Sequence, residues 1–260
     1  MLEVDIARID VSKRTVQKRK DNVAQESPLH VLLNQTHYAT ILCSPMQLKE
    51  LALGHALSEG IVKSMDEVET ISLERDGVCR IKLTRAINLE KRLKLLKHLS
   101  RVILLSCGGD RPYEPSKRLT KIKSDLKVEA MTILDSTVRL NFAADTFRKT
   151  GGVHAAAICM NDGGSVAFAE DIGRHNAVDK VIGIAALSEV DFGKCFLTLT
   201  GRLTGDVVRK AVRVGLPLVS SLAAAISSGI AVAKNTNLTL VGFVRGKRMN
   251  VYNFPDRILV

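Results

Sequence analysis

The chain has no tryptophan, and only 4% of its residues are aromatic. Its core must therefore be aliphatic, and it has few rings on which nucleic-acid bases could stack. No basic run reaches the density of a nucleic-acid tail, although the formal net charge is +11. The surplus is diffuse: residues 1–128 carry 23 Lys/Arg against 16 Asp/Glu, and residues 129–260 carry 15 against 11. Such a balance predicts an anionic partner, though not a nucleic-acid polymer. No internal repeat is present. The five cysteines, at 43, 79, 107, 159 and 195, are odd in number and widely spaced, which excludes a disulfide framework and a Cys-x-x-Cys metal site. The opening MLEVDIARID carries no apolar leader, so a reduced cytoplasmic compartment is expected. One charge-free run, Val214 to Ala233, is long enough to span a bilayer. It contains Gly215, Pro217, Gly229 and four serines, and it divides into a strand and a helix, so no membrane span is expected.

What is present is the balance of a globular protein: 260 residues, 46% hydrophobic and 25% charged. Residues 1–25 read as an edge strand followed by a mobile or ligand-ordered segment. Leu29–Leu33 and Tyr38–Cys43 predict a hairpin. Ser44-Pro45 predicts a helix start, with Ser44 as the cap, and the helix stops at Gly60. Asp76-Gly77 between two apolar runs predicts a second hairpin. Leu89–Leu99 is helical in period, and RVILLS follows as a strand. Cys107–Lys127 reads as a linker or functional loop. Residues 129–149 predict one amphipathic helix ending at Gly151-Gly152. Beyond them, strand-like and helical runs alternate, as in a sheet covered by helices. The expected division is an α+β domain over 1–106, a flexible loop over 107–128 carrying a reactive cysteine, and an α/β domain over 129–260.

The densest chemistry lies in Thr150 to Val181, TGGVHAAAICMNDGGSVAFAEDIGRHNAVDKV. A His-Ala segment followed by apolar residues is how zinc deaminases present a metal ligand, with a glutamate two residues on and a paired cysteine motif later. Here Ala156 follows His154 where the glutamate should stand, and LTGRLTGDVVRK stands where the cysteine pair should be. No metal site and no deaminase chemistry are expected. The cluster Glu170, Asp171, Arg174, His175 and Asn176 has two readings. Asp171 and Asn176 could cap a helix and Arg174 could pair with Asp179, or the set could line a ligand site.

Cys107 ends the strand RVILLS and precedes two glycines, with Arg111, Lys117 and Arg118 nearby in sequence. Cations lower a thiol's pKa, and thiolate is the nucleophile. Cys107 is therefore the candidate reactive residue, whereas Cys43, Cys159 and Cys195 read as small buried hydrophobes. Two segments suit phosphate. TGRLTGD places Gly201 and Arg202 before a helix, whose first amides favour an anion. FVRGKRMNVY places Arg245, Lys247 and Arg248 around Gly246, although a charged β-turn would look the same.

Taken together and in order, TGGVHAAA, EDIGRHNAVDKVIG, LTGRLTGDVVRKAV and LTLVGFVRGKRMNVY resemble the formate dehydrogenase accessory sulfurtransferases, FdhD type, over roughly residues 27–255. The resemblance implies a cytidine-deaminase-like mixed sheet in the C-terminal part and a homodimer. It implies that Cys107 receives sulfur from a cysteine desulfurase as a persulfide. The sulfur would then pass to the bis-molybdopterin guanine dinucleotide form of the molybdenum cofactor, destined for formate dehydrogenase. The matching cofactor-binding segment is Phe243, Val244, Arg245, Gly246, Lys247 and Arg248, with Gly201, Arg202 and His175 as further candidate contacts. Two positions depart from the pattern. Asp110 replaces a second cysteine, leaving a single-thiol mechanism, and SLAAAISSG replaces a Ser-Ala-Pro-Thr-Ser run, where Ser220, Ser221, Ser227 and Ser228 could stand in. A non-catalytic chaperone that binds the cofactor and delivers it is the alternative reading.

Overall fold

The computed structural model describes residues 1–84, 87–95, 101–103 and 119–260. The fold is mixed α/β. Strands β1 (Leu2–Asp10) and β2 (Thr15–Val23) pair antiparallel, from Leu2 with Val23 to Asp10 with Thr15. This corrects the expectation of one strand followed by a mobile segment. TVQKRKDNV shows no apolar alternation because β2 is exposed along almost its whole length, so neither of its faces demands hydrophobic residues.

A five-stranded sheet follows, ordered β5-β6-β3-β4-β7. Its members are β3 (Ser27–Leu33), β4 (Thr36–Cys43), β5 (Val68–Leu73), β6 (Val78–Leu83) and β7 (Arg101–Ile103). Both predicted hairpins form. At the second, Asp76 and Gly77 take φ of 62° and 72°, the left-handed pair that a tight hairpin turn requires. Helix α1 (Leu48–Ser58) follows β4, and α2 (Leu89–Leu95) precedes β7. The α1 start is a second correction. Ser44 does not cap it: its amide donates to Asp171 Oδ2 at 3.0 Å and its hydroxyl accepts from the Ile172 amide at 3.1 Å. The hydroxyl is committed across the fold, and left-handed Gln47 takes the cap position instead.

The second half opens with β8 (Val128–Glu129), which pairs parallel with β15 (Ile258–Leu259). Residues 129–149 do not form one helix. They form α3 (Ala130–Ala143) and α4 (Asp145–Thr150), broken at Ala144, whose ψ of 74° is not helical. The Glu170 carboxylate takes the new start, accepting from the Thr146 and Phe147 amides at 3.0 and 2.8 Å. The central sheet is ordered β10-β9-β11-β12-β13-β14. Its strands are β9 (His154–Met160), β10 (Ser165–Asp171), β11 (Cys195–Leu199), β12 (Leu218–Ser221), β13 (Thr239–Arg245) and β14 (Arg248–Asn253). β11, β12 and β13 run parallel, and the other neighbours are antiparallel. The linking helices are α5 (Arg174–Leu187), α6 (Gly205–Val214) and α7 (Ser227–Thr236). Helix α3 covers one face of this sheet over Ala155, Ala157, Phe196 and Val241.

On the other face α5 meets α1, and one apolar cluster runs unbroken from Leu29 in β3 to Leu240 in β13. Both helices are buried nearly all round, their polar side chains Asp179, Lys180 and His55 included, each paired inside the fold. Each carries a glycine at the crossing. A methyl on Gly54 would overlap the Asp179 carbonyl, and one on Gly183 would overlap the Glu50 carbonyl. The backbones touch because neither position has a side chain. No described helix is long and apolar enough to cross a membrane, and Val214–Ala233 divides into β12 and the start of α7.

Candidate functional site

The carboxyl ends of β11, β12 and β13 lie side by side and carry most of the predicted ligand residues. In open α/β sheets this edge is where ligands bind. Gly201 follows β11, and its carbonyl accepts from Ser221 Oγ at 2.7 Å. Ser221 Oγ in turn accepts from the Ala223 amide at 3.0 Å, and the Phe243 amide donates to the Ala223 carbonyl at 3.0 Å. Gly201, the loop after β12 and Phe243 thus form one connected edge. Arg174, opening α5, lies over Gly201: a methyl there would stand 2.9 Å from the Arg174 Cβ. Gly205 and Gly229 do the same work for the α6 and α7 starts, since a methyl on either would press on Ser228 or Leu203.

The charge at this edge is positive. The start of α5 carries Arg174, and α6 opens behind exposed Arg202. His154, at the start of β9, sits against Thr200, with Nδ1 3.4 Å from Oγ1. Burial holds its imidazole below the usual histidine range, and the nearby Arg174 and Arg202 add to this while Asp171 opposes. His175 is pushed down to about 4, by burial first and then by Arg174 and Lys210. It is therefore neutral at pH 7. Its Nε2 and the Thr204 hydroxyl are buried with no hydrogen-bond partner among the described residues. Unsatisfied buried polar atoms are uncommon. Two of them beside two helix N-termini and two arginines suit an oxygen-rich anion such as a phosphate ester.

The segment from Phe243 to Arg248 adjoins this edge without facing it throughout. Phe243 has φ of 53°, a strained conformation for a bulky residue, at a bulge in β13. The Arg245 guanidinium stands 5.2 Å from its ring centroid. Val244 is fully buried in the cluster under α3, so it can offer a ligand only backbone atoms. Arg245, Gly246, Lys247 and Arg248 are exposed, and they form the β13–β14 turn with Gly246 left-handed at φ 64°.

The cluster after β10 divides in two. Arg174 lies against the ligand edge at Gly201, His175 is buried among Arg174, Lys210, Asp206 and Asp179, and the remainder is scaffold. Asp171 is fully buried 2.7 Å from Lys180, and it accepts from Asn176 Nδ2 and the Gly173 amide, both at 2.9 Å. Neither Asp171 nor Asn176 caps α5; Gly173 holds that position. The predicted Arg174–Asp179 pair does not form, because Asp179 points the other way, into α1 and α6. Lys210 Nζ sits 2.9 and 2.8 Å from its two oxygens and 3.0 Å from Glu59 Oε1, and His55 Nδ1 sits 2.9 Å from Asp179 Oδ2. Burial alone would raise the Asp179 carboxyl, yet Lys210 and His55 hold it below its ordinary range. Removing one member of such a buried set costs about 3–5 kcal/mol.

Cys107 lies outside the described residues, as do the three cations near it in sequence. The other four cysteines are all buried. Burial pushes the thiols of Cys43 and Cys79 up to about 12, and those of Cys159 and Cys195 up to about 11. None is ionised to a useful extent near neutral pH. Among the described residues no group of three or more His, Cys, Asp or Glu side chains could hold a metal ion.

Comparison with known proteins places the chain among relatives of its full length. The family model described as FdhD/NarQ matches residues 24–259. A sulfur carrier protein FdhD from Methanothermobacter thermautotrophicus is 36% identical over 258 residues, covering 99% of this chain and 98% of the relative. One from Bacillus subtilis is 30% identical, covering 94% and 92%. Among solved structures, a formate dehydrogenase accessory protein from Desulfotalea psychrophila superposes with a TM-score of 0.81 at 27% identity, over 99% of each chain.

Proposed function

The chain belongs to the FdhD/NarQ family of sulfur carrier proteins, and on that premise we propose that it carries sulfur on Cys107 as a persulfide. The Cys107 thiolate attacks the terminal sulfur of a persulfide held by a cysteine desulfurase. The new S–S bond forms as the donor's cysteine leaves as thiolate. The loaded sulfur then passes to the bis-molybdopterin guanine dinucleotide molybdenum cofactor, a substrate here, before that cofactor enters formate dehydrogenase. The setting is the cytoplasm. A helix-covered mixed sheet supports the deaminase-like description of residues 129–260.

The observation that carries this reading is the state of the other thiols. A sulfur carrier needs an accessible thiolate, and four of the five cysteines are sealed in the core with raised pKa values. Position supports it as well. Ile103 pairs in parallel with Ile41, so β7 runs toward the same end as Ser44, which touches Asp171 and Ile172 beside the start of α5. β7 is the last described element before Cys107 in the sequence. The cationic edge supplies the binding half of the proposal, because its two arginines and helix starts match the phosphates of a guanine dinucleotide. Brief alkylation of the native protein with iodoacetamide, read by peptide mass spectrometry, tests the inventory. Cys107 should be modified rapidly while Cys43, Cys79, Cys159 and Cys195 react only after denaturation. Rapid labelling of any of those four would remove the argument.

A further inference from the structure

The β1–β2 ribbon is a two-stranded sheet, with no third strand on either edge among the described residues. Two strands alone have little stability in water, so apolar side chains held outward on such a ribbon call for a partner. Ile9 and Val16 pair across the ribbon and are 66% and 67% exposed, and Val11 in the turn beyond them is 85% exposed. Ala7 and Lys18 form the next pair on the same face, both exposed. Residues 7–20 hold six Lys/Arg and one acid, Asp10. Lys13 stands 4.0 Å from Asp10 and Lys20 2.7 Å from Glu3, while Arg8, Arg14 and Lys18 have no acidic partner among the described residues. At its root the ribbon adjoins the candidate site. A methyl on Gly152, two residues before His154, would stand 3.0 Å from the Ala24 Cβ. Ser27 pairs with Cys43, the residue before Ser44, at the end toward which β7 runs.

We propose that the exposed face of this ribbon is the docking site for the protein that supplies the sulfur, which receives it in an apolar pocket with an acidic rim. The inference rests on the persulfide reading, because exchange between two protein thiols requires that the two chains be held together. Charge complementarity selects the occupant. Cations around a small aliphatic centre match an acidic surface, speed the encounter and fix its orientation. Residues 1–25 contain no aromatic side chain. The ribbon therefore offers nothing to stack on bases, and no ring of the kind that anchors proteins at a membrane interface. Ile9, Val11 and Val16 are β-branched and stiff, so little side-chain freedom is lost when they enter a preformed pocket.

Binding of the full chain to a cysteine desulfurase, followed by biolayer interferometry, tests this. Ile9→Ser and Lys18→Glu should each weaken binding at least about tenfold, Lys18→Arg should not, and rising salt should weaken the wild type. Inorganic polysulfide, which needs no docking, should load Cys107 equally in the wild type and in Lys18→Glu. Loading of neither would strike the persulfide reading alone, since binding is read independently. Unchanged desulfurase binding by Ile9→Ser and Lys18→Glu would overturn the proposal. So would a changed oligomeric state in Ile9→Ser, which would assign the face to a contact between copies, or ribbon-dependent binding to phosphatidylserine vesicles in place of the desulfurase.

Discussion

Replacing Cys107 with alanine is expected to abolish sulfur-dependent activation of formate dehydrogenase, to the level of a strain lacking the protein, while the melting temperature stays unchanged. The loss should be total because no second thiol can substitute. Asp110 stands where a neighbouring cysteine could have shared the load, and the remaining four are buried with thiols pushed to about 11 or 12. Cys107→Ser should behave like the alanine variant, since a hydroxyl carries no persulfide. Activation of the enzyme by the alanine variant at the wild-type level would leave cofactor delivery without sulfur chemistry as the working role.

Gly183→Ala should be the most damaging conservative change to the fold. A methyl at this position overlaps the backbone carbonyl of Glu50, and backbone cannot rotate away as a side chain can. Helix α5 would have to retreat from α1, opening the core they share. Overpacking usually costs about 1–3 kcal/mol, and a clash between two main chains belongs at or above the upper end. For a chain of this length that is a fall in Tm of roughly 6–12 °C. Gly54→Ala should act alike, because its methyl meets the Asp179 carbonyl on the other side of the same crossing. Gly164→Ala, whose methyl meets only the end of the Asp162 side chain, is the control and should change little. Equal melting temperatures for the Gly183 and Gly164 variants would show that the helices can separate at no cost.

That crossing marks what could and could not be read from the sequence. Elements whose signals are local were legible: the Asp76-Gly77 hairpin, the strands of the central sheet apart from β14, and the helices between them. The loop positions that form the cationic edge were legible too, because glycine, arginine and a helix start sit within a few residues of one another at TGRLTGD. Contacts between distant residues were not. Ser44 looks like a cap until Asp171, 127 residues away, takes its amide. Asp179 looks like a partner for Arg174 on the same helix until Lys210 and His55 enclose it. A weak signal for the crossing did exist. Glycine inside a helix costs about 1 kcal/mol relative to alanine, so Gly54 and Gly183 within apolar helical text called for a packing reason. The dense cluster after β10 read as a possible ligand wall, and in space Arg174 lies against that edge at Gly201 while Asp171 and Asn176 are scaffold.

The most direct measurement of the central claim is the mass of the purified protein after incubation with a cysteine desulfurase and free cysteine. Persulfide carriage predicts a gain of about 32 mass units on the peptide that contains Cys107, reversed by a reducing agent. No gain, or a gain on a peptide containing Cys43, Cys79, Cys159 or Cys195, would contradict it.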